Sequence, residues 1–143
     1  WLYAALCERL GLATKAPEVA LERAPGEVDL AARFNFGGPF SAELCASIAE
    51  DLDREAWLSG EEWTLVIEGK WWNPQHIRWQ GGTPPAAWPE DIYLPVQGGG
   101  MQHEADHFTD CIRHRLLDSP WLPHALTRRV LGWVETGLHG AGR

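Results

Sequence analysis

Residues 103–107 read His-Glu-Ala-Asp-His, two imidazoles four positions apart with a carboxylate beside the first. On a helix four positions are about one turn, so both rings can reach a single ion, and imidazole nitrogen is a good ligand for Zn²⁺. Glu104 lies next to that row, placed to hydrogen-bond a metal-bound water without being a ligand itself. The chemistry such a trio offers is hydrolysis by metal-activated water.

The element that must position them is a helix over 101–117. Met101, Ala105, Phe108, Ile112 and Leu116 repeat every three or four residues and form one apolar stripe. His103, His107, Asp110 and His114 follow the same spacing on the opposite side. The expectation is a helix with its stripe in the core and a row of metal-capable side chains turned outward.

The remaining chain reads as an α+β order. Residues 1–12 suggest a short helix ended by Gly11, followed by a Pro- and charge-containing connector. GEVDLAARFNFGG alternates, with Val28, Leu30, Ala32, Phe34 and Phe36 on one side, as a half-buried strand does. Ser41 reads as the N-cap of a helix over 41–57, with Leu44, Ile48 and Leu52 one turn apart. Strands follow at 63–72 and 76–80, with a Pro/Gly loop at 81–91. A strand at 92–96 belongs at an edge because Pro95 cannot donate to a ladder. A last helix spans 125–138. The expected fold is a small, mostly antiparallel sheet with a backing helix, then the HExxH helix and a C-terminal helix, in a single domain over 1–143.

With SAELCASIAEDL, WTLVIEGKWW, IYLPV, HEADH and ALTRRVLGWVETGL in that order, the chain resembles the zincin metallopeptidases over about residues 41–138. That resemblance implies a peptide or protein substrate laid along the edge strand. It also implies Zn²⁺ on His103 and His107, with Glu104 as general base. The metzincin continuation is absent, since Asp110 and Arg113 stand where its Gly and third His would be. A gluzincin-like third ligand would be Glu135, the only glutamate after the motif, with Asp110 and His114 as alternatives. His76, Tyr93 or His124 could add a donor to the developing oxyanion. QHEADH also resembles the third motif of peptide deformylase, without that family's other two segments.

Composition bounds the partners. A net charge of −8 and no Lys/Arg run argue against nucleic acid. No apolar run is long enough to span a bilayer, so no membrane partner is expected. Three cysteines without a CxxC pair point to free thiols and a reducing, cytoplasmic compartment, although a chain starting at Trp1 is compatible with a trimmed targeting segment. Oligomeric state stays open. Nine tryptophans support two rival readings. One is an acidic, non-enzymatic binding, adaptor or immunity-type domain whose HEADH is only a solvated helix face. The other is a ligand or carbohydrate binder that stacks rings on Trp71, Trp72 and Trp79.

Overall fold

Alternation in residues 29–36 forces a strand that is apolar on one side, and this strand organises the first half of the chain. A computed structural model describes residues 1–26, 28–84, 88–95 and 98–140. In chain order it contains α1 (Leu2–Arg9), β1 (Glu18–Arg23), β2 (Asp29–Phe36), β3 (Ala42–Ser47), β4 (Ala56–Ser59), β5 (Thr64–Glu68), β6 (His76–Gln80), β7 (Asp91–Tyr93), α2 (Met101–Arg113) and α3 (His124–Gly140). The fold is α+β: among the described residues there are two small antiparallel sheets and three helices. None of those helices is long and apolar enough to cross a membrane. The chain divides into two compact units, residues 1–52 with 111–143, and residues 53–110.

In the first unit the sheet order is β1-β2-β3. The register sets Val19 opposite Phe34, Phe34 opposite Leu44, and Phe36 opposite Ala42, so one face is apolar across all three strands. Tyr3 and Cys7 of α1 pack with Phe36, joined by Phe34, Phe40, Ala42 and Trp133. Tyr3 and Phe36 rings lie 4.3 Å apart, and Trp133 meets Phe36 edge-on at 5.1 Å. The Tyr3 hydroxyl donates to the Phe40 carbonyl at 3.0 Å, which removes the cost of burying its polar tip. A second cluster joins Ala4 of α1 to Leu126 and Val130 of α3. Gly137 lets α3 lie directly on β1, since a Cβ there would sit 2.7 Å from Val19 Cγ2. Arg23 then donates to the Leu138 carbonyl at 3.1 Å, satisfying an acceptor near the helix C-terminus.

Two stretches depart from the sequence reading. The helix expected over 41–57 does not form: residues 42–47 are strand β3, paired with β2 from Phe36↔Ala42 to Ala31↔Ser47, and residues 56–59 are β4. Ala42, Leu44 and Ala46 also alternate, and the free edge of β2 satisfies the backbone hydrogen bonds of this stretch as a strand. Tertiary pairing overrides helix propensity here. Ser41 caps nothing helical. Instead the Ser47 hydroxyl accepts from the Ala49 and Glu50 amides, both at 3.0 Å, and turns the chain out of β3. The position that a zincin-like order would give to its backing helix is therefore strand. The connector expected after α1 likewise contains β1, whose Val19 and Leu21 point the same way.

The second unit carries the sheet β4-β5-β6-β7. Leu58, Leu65, Ile67, Ile77 and Ile92 share one face by register. Trp57, Val66, Arg78 and Asp91 fall on the other, together with Glu68, His76 and Tyr93. Among the described residues of this unit, Val66 and Ile67 are buried. Trp63 stacks on Trp79 at 4.8 Å, and Trp79 Nε1 donates to the Gly81 carbonyl at 2.8 Å. β7 is shorter than the strand expected at 92–96. Val96 and Gln97 of that stretch lie outside the described residues, as do Glu27 of the β2 stretch and 85–87 of the loop.

Candidate functional site

Helix α2 forms where its periodicity placed it, and Gly100 opens it at a φ of +82°, a conformation that suits glycine. The expectation that its stripe fills a core is corrected. Met101, Phe108, Ile112 and Leu116 are 76%, 65%, 61% and 46% exposed, and no residue of α2 is buried. His103 and Glu104 are exposed and His107 is half-buried. Glu135 sits exposed on α3, where its own carbonyl accepts from His139 Nδ1 at 2.7 Å.

The start of α2 instead builds a cleft of 630 Å³ within the second unit. Trp72, Asn73 and Pro74 supply one wall from the turn after β5, Leu94 and Pro95 a second from the end of β7, and Gly99, Gly100, Met101, His103 and Glu104 a third. The Trp72 turn is fixed by its backbone: the Trp71 amide donates to the Arg54 carbonyl at 2.9 Å and the Asn73 amide to that of Lys70 at 2.7 Å. Trp71 meets Trp72 edge-on at 5.9 Å and leaves the Trp72 ring 59% exposed. The cleft thus joins an indole, aliphatic walls and a glycine backbone to one carboxylate, one imidazole and one amide. Its volume is that of a small-molecule site.

A second polar cluster crosses three strands of the same unit. Register places Glu68, His76 and Tyr93 in one row. His76 Nδ1 lies 2.7 Å from Glu68 Oε2, and Nε2 lies 2.9 Å from Asp91 Oδ1. Arg78 grips the other Glu68 oxygen at 2.7 Å, and the Tyr93 ring stacks on the imidazole at 4.8 Å. The hydrogen bond to Glu68, then that to Asp91, raises the His76 pKa above its ordinary value of about 6.5.

Among the described residues no group of three His, Cys, Asp or Glu side chains is arranged to hold a metal ion. His103 and His107 share α2, and Glu135 lies on α3. No family model matches the chain. The chain is 30% identical over 109 residues, 74% of its length, to trans-1,2-dihydrobenzene-1,2-diol dehydrogenase from Mus musculus. It spans about a third (32%) of that relative's length. Similarity to an oxidoreductase and the lack of a metal-holding group overturn the zinc-hydrolase reading of HEADH. The physical reason is that two imidazoles one turn apart are common on any polar helix face, and a zinc site needs a third ligand brought in by the fold.

Of the residues singled out in the sequence, His103, Glu104 and Trp72 meet at one cleft. Trp63 stacks on one face of Trp79, and Trp79 does not line the cleft. Leu94 and Pro95 belong to the expected edge strand at 92–96, along which a substrate was expected, but Asn73 was missed as a site residue. So were Glu68 and Asp91 as partners of His76, since they stand 8 and 15 positions away and only strand register brings them together.

Proposed function

We propose that this chain forms the substrate-side part of an oxidoreductase acting on a hydroxylated six-membered ring. The observation that carries this reading is the 30% identity to a dihydrodiol dehydrogenase across 74% of the chain. Its relative's name specifies a ring bearing two neighbouring hydroxyls, a molecule with apolar faces and a polar edge. The cleft has the matching division: Trp72, Leu94, Pro95 and Met101 for the faces, and Asn73, His103 and Glu104 for the hydroxyls.

Oxidising such a diol also needs a hydride acceptor. A dinucleotide site is built on a parallel βαβ unit with a glycine-rich turn opening the helix. Gly98-Gly99-Gly100 does lead from β7 into α2, but β7 has three residues and pairs antiparallel with β6. The residues present do not fit a dinucleotide there, so acceptor binding is assigned in this reading to sequence outside the aligned third of the relative.

Titration of the chain with trans-1,2-dihydrobenzene-1,2-diol, followed by NMR, tests the reading. Saturable binding is expected, weakened at least about tenfold by Trp72→Ala or Glu104→Ala, the size of one lost charge-assisted hydrogen bond or ring contact. Binding unaffected by both substitutions, or absent at millimolar ligand, would reject it.

A further inference from the structure

The polar row across β5, β6 and β7 has a feature that its chemistry makes consequential. Both ring nitrogens of His76 face carboxylate oxygens, Glu68 at 2.7 Å and Asp91 at 2.9 Å. An ionised carboxylate only accepts hydrogen bonds, and neutral imidazole has one N–H. Both bonds therefore exist together only in the imidazolium form. Once a proton leaves, one nitrogen lone pair must face a carboxylate lone pair, and that tie breaks.

Which tie breaks follows from the surroundings. Glu68 is held a second time by Arg78 at 2.7 Å and its side chain is 28% exposed. Asp91 is 60% exposed and can rotate its carboxylate into water. The other group facing the ring is the Tyr93 phenol, stacked at 4.8 Å from β7. The remaining proton therefore stays between Nδ1 and Glu68, and the bond to Asp91 is the one given up.

Asp91 begins β7, the three-residue edge strand whose continuation, Leu94 and Pro95, forms a wall of the cleft. Backbone bonds from the Leu94 amide to the Gln75 carbonyl and from the Trp79 amide to the Glu90 carbonyl, both 2.8 Å, bracket the β6–β7 pairing. So short a ladder gains proportionally from one side-chain tie. We infer that His76 is a positioning residue: in its protonated form it bolts β7 to the sheet through Asp91, and loss of the proton loosens that strand and the cleft wall beyond it. The consequence for ligand binding rests on the cleft reading; the latch itself does not.

The raised pKa of His76 moves the release above the range of an ordinary histidine. Amide hydrogen exchange on the full chain, expressed as protection relative to the free peptide at each pH, tests this. Protection of the Leu94 amide in the wild type should fall about fivefold to tenfold between pH 6 and pH 9, the scale of one charge-assisted hydrogen bond. His76→Gln should show the low value at both pH values, while the Val66 and Ile67 amides keep wild-type protection. Asp91→Ala, an exposed change, removes the same bond if His76→Gln does not fold, and should behave alike. A wild-type profile that is flat, or one that survives Asp91→Ala unchanged, would overturn the latch. Diol titration at the two pH values separates the readings. A pH-dependent Leu94 amide without diol binding keeps the latch and removes the cleft function, and diol binding with a flat amide profile does the reverse.

Discussion

His76 on β6 and His103 on α2 are both histidines with carboxylates for neighbours, yet their surroundings differ in kind. His76 has partners on two other strands, and each ring nitrogen meets a separate carboxylate. His103 has its carboxylate beside it on the same helix, faces an open cleft, and joins no group able to hold a metal among the described residues. Cross-strand register fixes side chains opposite one another at about 5 Å, whereas adjacent helix positions point about 100° apart. Titratable groups cooperate where the fold aims them together, and chain proximity alone does not do so.

The largest effect that separates the two regions should come from what lies beneath them. Ile67→Ala in β5, at 8% exposure, should cost about 2–4 kcal/mol in denaturant unfolding. Phe108→Ala on α2, at 65% exposure, should stay within about 0.5 kcal/mol. A comparable loss at Phe108 would show that the α2 stripe is packed and would erase the contrast.

Next in size is the pH response. His76 has a raised pKa in the folded state, owing first to Glu68 and then to Asp91. Its stabilisation is therefore fully present below about pH 6.5 and fades as pH climbs through the raised value. Thermal unfolding of His76→Gln should fall below wild type at pH 6 and converge with it at alkaline pH. A gap that is constant across that range would contradict the charged row. Glu68→Gln should lower the His76 titration midpoint measured by NMR, whereas a midpoint left in place would assign the shift to Asp91 alone. The smallest effect belongs to His103→Ala, expected to change stability by less than about 0.5 kcal/mol; a larger loss would reveal a structural role on α2.

Much of the fold was legible because several stretches carry an unambiguous period. β6 was expected at 76–80 and observed there, and β2, β5, α1, α2 and α3 fall within their expected stretches or a few residues of them. SAELCASIAEDL failed because Leu44 and Ile48 satisfy a helical period while Ala42, Leu44 and Ala46 satisfy a strand period. Only the vacant edge of β2 decides between them. At the site, His103 and Glu104 of HEADH line the cleft. The motif suggested the wrong chemistry, because it specifies neither a third ligand nor what stands across the cleft. Trp72 was visible as a candidate ring platform, and Leu94 and Pro95 as part of the expected edge strand, while Asn73 was missed.

The most direct measurement of the central claim is a chemical-shift map of the chain titrated with trans-1,2-dihydrobenzene-1,2-diol. The account predicts saturable shifts concentrated at Trp72, Leu94, Gly100, Met101 and His103, with the amides of β2 and α3 unmoved. Shifts scattered over the exposed stripe of α2, or none at any of those five residues, would contradict it.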